Sequence, residues 1–218
     1  MKKHFLTLTA LSSLLLAVAN AQAAAPTAEL QVAGKIGSPT CTIAAPNNGV
    51  YNLGAISASQ LKPDAITRLS RLTKSWTITC DAMTYLTITP TDNRSDSMAV
   101  TYPGGGATNH YGLGFVNGTG KIGAFLILFG GNSSVDGVPT TMCKGNPGQC
   151  TVQAGAAYLT RGNQTSWATT NNVLTAGRVF KTDLATDAYL ASTSTMNGAI
   201  TENTKIDGSA TLNFAFAI

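Results

Sequence analysis

Ile206, Gly208, Ala210, Leu212, Phe214, Phe216 and Ile218 fall on one face of an extended chain, and Ser209, Thr211 and Asn213 fall on the other. A period of two is the signature of a β-strand with one buried face, because successive side chains of a strand point to opposite sides. The same period recurs upstream. Leu30, Val32, Gly34 and Ile36 alternate with Gln31, Ala33 and Lys35, and Trp76, Ile78 and Cys80 alternate with Thr77 and Thr79. Leu86 and Ile88 continue the style. The run from Ile122 to Phe129 is more continuously apolar, as expected of a strand buried on both faces. Val179 to Leu190 reads as another strand region, with Asp183 and Asp187 marking breaks or edges. Helical spacing is absent from these runs, so the expected fold class is all-β.

Turn signals separate the strands: Pro46-Asn47-Asn48-Gly49, Asp92-Asn93, Gly130-Gly131-Asn132, Asp136-Gly137, Gly145-Asn146-Pro147-Gly148 and Asp207-Gly208. Glycine and asparagine supply the backbone conformations that tight turns need. Short strands with frequent turns predict a β-sandwich. One short helical turn is expected between Ser59 and Ser75. No repeat and no low-complexity linker interrupts the pattern.

The N-terminus fixes the expected compartment. Lys2 and Lys3 precede a short apolar run from Phe5 to Val18, and Ala21-Gln22-Ala23 offers a small-x-small cleavage site. This is the layout of a secretory signal peptide, with cleavage placed after Ala23. The run is shorter than the roughly 20 residues a membrane span needs, and no span is expected after signal removal. Losing those two lysines lowers the formal charge from +4 to +2. That charge is too small to argue for nucleic acid as a partner.

Four cysteines, Cys41, Cys80, Cys143 and Cys150, follow the signal-like stretch. An even number in an exported chain predicts two disulfides. Three pairings are possible, and Cys41–Cys80 with Cys143–Cys150 is favoured. Zinc is the weaker reading, since His110 is the one histidine outside the signal-like stretch and no Cys-x-x-Cys pair occurs. No metal and no other cofactor is expected.

Two of these features combine into something more specific. Leu30-Gln31-Val32-Ala33-Gly34-Lys35-Ile36 stands four residues before Cys41. Asn52-Leu53-Gly54-Ala55-Ile56 with Leu61, then Ser75-Trp76-Thr77-Ile78-Thr79-Cys80-Asp81, lie between that cysteine and the end of the first third. With the alternating C-terminal strand, these stretches resemble the pilin subunits of chaperone–usher fimbriae. Thr91-Asp92-Asn93-Arg94, Tyr111-Gly112-Leu113-Gly114-Phe115 and Gly120-Lys121-Ile122-Gly123-Ala124 look like one branch, fimbrial-like exported proteins of uncharacterised function. Typical pilins carry a penultimate tyrosine where this chain has Ala217, which shifts the expected C-terminal register by about a residue.

The resemblance implies an immunoglobulin-like sandwich that lacks one strand and is completed by a donor strand. It implies a signal peptide at 1–23, a donor-strand-like segment at 24–39 and a pilin-like domain at 40–218. Leu30, Val32 and Ile36 would enter pockets of a neighbouring subunit, with Gly34 where the groove is too shallow for a side chain. Leu212, Phe214, Phe216 and Ile218 would line the groove of the chain itself. The implied partners are a periplasmic pilus chaperone, an outer-membrane usher and other fimbrial subunits. The implied route runs through the periplasm to a fimbrium on the cell surface, where the subunit contributes to adhesion.

A different class stands beside this one. A monomeric, self-complemented periplasmic or secreted sandwich could bind a ligand through Tyr102, His110, Tyr111, Tyr158 and Trp167, although lone aromatics in β-proteins are more often packing residues. Enzyme motifs are missing: there is no Gly-x-Ser-x-Gly elbow, phosphate loop or pair of metal-binding histidines. No catalytic residue is assigned. Asp92-Asn93-Arg94-Ser95-Asp96 lacks the glycine and downstream glutamate of a calcium loop and reads as a polar turn.

Overall fold

The computed structural model describes residues 27–99, 105–200 and 204–217. The signal-like stretch 1–23, Tyr102 and Ile218 lie outside them. Two units are distinguished, one up to Gly37 and one from Ser38 onward. In the first, residues 27–37 carry no regular secondary structure, and Leu30, Val32 and Ile36 are exposed.

The regular structure of the second unit is almost entirely strand, apart from short 3-10 turns. It begins with β1 (Cys41–Ala44), β2 (Thr67–Arg68) and the long β3 (Leu72–Thr84). After a single residue comes β4 (Leu86–Asp92), then β5 (His110–Gly112), β6 (Phe115–Val116), β7 (Gly120–Lys121) and the long β8 (Gly123–Val135). Short strands follow: β9 (Val138–Pro139), β10 (Met142–Gly145), β11 (Thr151–Val152) and β12 (Ala157–Tyr158). The set closes with β13 (Gln164–Thr170), β14 (Val173–Leu174), β15 (Gly177–Leu190) and β16 (Ala210–Phe216).

These strands form two main antiparallel sheets. The first runs β1-β3-β15-β8-β12, with β2, β5 and β9 paired at its margins. The second runs β11-β10-β13-β4-β16, with β14 beside β13. A small ribbon, β6-β7, stands apart. The alternation read from the sequence explains the layering. Ile78, Phe129, Phe180 and Leu184 of the first sheet share one core with Leu86, Ile88, Met142 and Trp167 of the second. The polar partners of that alternation, such as Thr77, Thr79 and Thr211, lie less deeply buried. The Tyr111 hydroxyl enters the core with a partner, donating to the Leu159 carbonyl oxygen at 2.9 Å.

Strand β8 is buried on both faces, as its unbroken apolar run predicts. Its outer face joins Leu126 and Leu128 to Ala185 and Tyr189 of β15, with Ile66 and Tyr158 packed against them. The tight turn into β9 is made by Asp136 and Gly137, both at positive φ (50° and 82°), the conformation that suits two-residue hairpins.

One expectation needs correction. Strand β15 is not broken at Asp183 or Asp187. Asp187 sits within it, its side chain 4% exposed, and is held by Arg71 at 2.6 and 2.7 Å and by Arg68 at 3.4 Å. Its carboxyl is held below the ordinary carboxylate range, first by the hydrogen bonds from Arg71 and further by the two arginine charges, against the opposing effect of burial. Asp183 lies where the pairing of β15 with β8 changes register, and it accepts a hydrogen bond from Asn132 at 2.6 Å. The expected helical turn is a single 3-10 turn at Ala58–Gln60, and the stretch up to Ser75 otherwise holds β2 and the start of β3.

Both disulfides join the favoured partners. Cys41 and Cys80 face each other in the β1–β3 ladder, 39 residues apart in sequence. Cys143 and Cys150 close a short loop with a separation of 7.

Candidate functional site

Strand β16 ends its sheet. It pairs with β4 over seven positions, from Ala210 opposite Asp92 to Phe216 opposite Leu86, and no described strand pairs with its other edge. An edge of this length exposes a row of backbone donors and acceptors. Beside it lies the feature on which a function can be built, an apolar cavity of about 790 Å³.

Two walls and a floor make the cavity. One wall is β16 with the residues just before it, including Ile206, Ala210 and Leu212. The other is the irregular stretch after β1, where Leu53 and Ile56 turn inward. The floor comes from the first sheet through Trp76, Phe125, Ile127 and Leu184. Both walls are anchored. The Tyr51 hydroxyl donates to the Leu184 carbonyl oxygen at 2.9 Å and accepts from the Trp76 indole N–H at 3.0 Å. Those bonds fix the stretch after β1 to the first sheet. On the opposite side Asp207 pairs with Arg94, and its backbone N–H donates to the Leu113 carbonyl oxygen at 2.9 Å. Asp92 braces the same corner by accepting from the backbone N–H groups of Arg94 and Gly112.

The described lining contains no His, Cys, Asp or Glu. Its ionisable side chains are Tyr51 and Lys205, and the Tyr51 hydroxyl is engaged by the two bonds to Leu184 and Trp76. The cavity can bury apolar side chains, and the neighbouring edge can pair with an extended backbone. Those are the two contributions that β-strand addition uses.

The candidate residues from the sequence distribute as follows. Leu212 lines the cavity, and Phe214 packs against the main core beside it. Phe216 is 38% exposed at the end of β16. Ile218 lies outside the described residues. Leu30, Val32, Gly34 and Ile36 belong to the exposed segment of the first unit. The ligand-site aromatics do not form an open surface: His110, Tyr111 and Trp167 are fully buried, and Tyr158 is half-buried in β12. Tyr111 and Trp167 are core residues, and burial pushes the His110 imidazole below its ordinary range.

Sequence reasoning missed two contributors to the cavity, Met196 and Ile200, in a stretch whose polar composition hides them. The wall at Leu53 and Ile56 was signalled by the spaced apolar residues that continue to Leu61. Among the described residues, no group of three or more His, Cys, Asp or Glu is placed to hold a metal ion. Among them, too, no helix is long and apolar enough to cross a membrane.

Comparison with known proteins gives relatives but no activity. Residues 30–126 match a family described as "Protein of unknown function (DUF1120)". The chain is similar to the Uncharacterized protein YhcF of Escherichia coli (strain K12), 27% identical over 162 residues. That alignment covers 67% of this chain and 66% of the relative, just under two thirds of the relative's length.

Proposed function

We propose that this chain is a structural subunit of a chaperone–usher fimbria, exported and assembled by donor-strand exchange, and contributing to surface adhesion. In this reading the sandwich is of the immunoglobulin-like pilin type and lacks one strand. The missing strand would lie along the open edge of β16, over the apolar cavity. A periplasmic pilus chaperone would fill that place first. The segment Leu30–Ile36 of another subunit would then replace it as an outer-membrane usher adds that subunit.

One observation carries the reading: a seven-residue edge that no described strand pairs runs beside a largely apolar cavity. An exposed edge and an apolar groove are each aggregation hazards, and a strand added from outside relieves both. The chain also carries a segment with the matching character, since Leu30, Val32 and Ile36 alternate and are exposed. Burying the three would supply roughly 1.5–3 kcal/mol each.

The test is a chain from which residues 24–39 are deleted and residues 27–37 are appended after Ile218 through a short flexible linker. The expected product is a monomer that melts higher than the deletion alone. In the unaltered mature chain, Gly34→Trp should abolish polymer and leave binding to a chaperone intact. A monomer no more stable with the appended segment, or normal polymer from the Gly34 variant, would overturn the reading.

A further inference from the structure

We propose that successive copies of the chain stack end to end, with Met83 and Tyr85 of one copy packed against Phe115 in the β6-β7 ribbon of the next. This rests on the strand-exchange reading above and adds the surface that such an exchange brings together.

Strand polarity divides the sandwich into two ends. At one end β3 turns into β4 around Tyr85, and β16 finishes with Phe216 opposite Leu86. The chain also enters the sandwich there. Thr40 donates its backbone N–H to the Asp81 carboxylate at 2.9 Å, and the Asp81 N–H donates to the Thr40 carbonyl oxygen at 3.0 Å. At the other end lie Asp92, Ala210 and the ribbon, which is tied to Asp207 through Leu113.

An incoming strand has a preferred direction. Every strand pair in the two main sheets is antiparallel, and antiparallel pairing is slightly more stable per residue than parallel. A strand laid antiparallel to β16 has its C-terminal residue, Ile36, at the ribbon end of the acceptor. Four residues onward, Thr40 is fastened to Asp81 of the donor copy. A fully extended chain of that length reaches only about 14 Å. The Met83–Tyr85 end of the donor must therefore abut the ribbon end of the acceptor.

Both abutting ends show large apolar side chains to solvent: Met83 is 67% exposed, Tyr85 44% and Phe115 50%. The two surfaces differ, so the contact is head-to-tail, and a head-to-tail contact that does not close generates a filament.

Photocrosslinking tests this in polymer grown from the full mature chain with p-benzoylphenylalanine in place of Phe115. Mass spectrometry should find crosslinks to residues 81–86 of a second copy. Phe115→Asp and Met83→Asp should still polymerise, because the exchanged segment is intact, but their polymers should dissociate roughly tenfold faster, the scale of a central apolar anchor. The strand-appended monomer carrying Phe115→Asp should melt like its parent, which separates a contact effect from misfolding. Crosslinks to another region, or unchanged dissociation, would overturn the stacking and leave strand exchange standing. Failure of the unaltered chain to polymerise would overturn both.

Discussion

The indole N–H of Trp167 donates to the backbone carbonyl oxygen of Lys181 at 2.8 Å. Trp167 belongs to β13 in one sheet and Lys181 to β15 in the other, so a fully buried side chain bolts the two layers together. The ring also meets Phe180, with centroids 5.1 Å apart. Trp167→Phe should cost about 1–3 kcal/mol, from the lost hydrogen bond and the reduced ring. Trp167→Ala should cost about 3–5 kcal/mol through the cavity it leaves. Urea denaturation of the oxidised protein measures both.

Asp187 and Arg71 supply a pH-dependent contribution. The folded state lowers the Asp187 carboxyl below its ordinary range, so it favours the ionised form. The resulting stability is fully present above the unfolded value of about 3.9 and is lost as pH falls through the lower folded value. Arg71 is partly exposed, which screens the pair. Asp187→Asn should therefore cost about 2 kcal/mol at neutral pH. Denaturation curves of the two proteins should converge in acid below that range.

The two disulfides should differ in worth. On the chain-entropy view, closing the longer loop through Cys41 and Cys80 contributes about 4 kcal/mol and the short loop through Cys143 and Cys150 about 2.5. Replacing each pair by alanine separately and measuring unfolding free energies should rank them in that order. A larger loss from the short loop would mean that its bridge acts through native packing.

Gly112 tests the corner that braces the cavity wall. A Cβ at this position would stand 2.1 Å from the Arg94 carbonyl oxygen and 2.3 Å from Ser97 Oγ. Neither can retreat without breaking the turn, because Ser97 Oγ accepts from the Gly114 N–H and donates to that same carbonyl oxygen. Gly112→Ala should destabilise by about 1–3 kcal/mol, seen as a lower melting temperature. Gly118→Ala in the nearby ribbon, with nothing within 4 Å but a positive φ of 79°, provides the contrast between strain and collision.

The layers of the fold were legible because they rest on local pattern. The alternation at Trp76, Ile78 and Cys80 and the apolar run of β8 are properties of neighbouring residues, and a strand's faces follow directly from them. Asp187 was misread because its partner Arg71 lies 116 residues away. A charge in a strand looks like an edge until something distant neutralises it. Trp167 and Tyr111 looked available for a ligand for a similar reason, since the carbonyls that satisfy them, those of Lys181 and Leu159, lie far away in sequence. The cavity was half legible: Leu212 and Leu53 stood out by spacing, whereas Met196 and Ile200 sit among polar residues and enter through the chain's path alone.

The pairing of β16 with β4 joins segments more than a hundred residues apart, with the whole of β5 to β15 between them. Contacts of that range form late, because the loop-closure entropy must be overcome before the ladder gives anything back. Until then β4 is itself a terminal strand, with its outer backbone edge unpaired. The interval before closure is thus a kinetic vulnerability, and a factor that shields β4 should raise the yield of folded protein more than it raises the final stability.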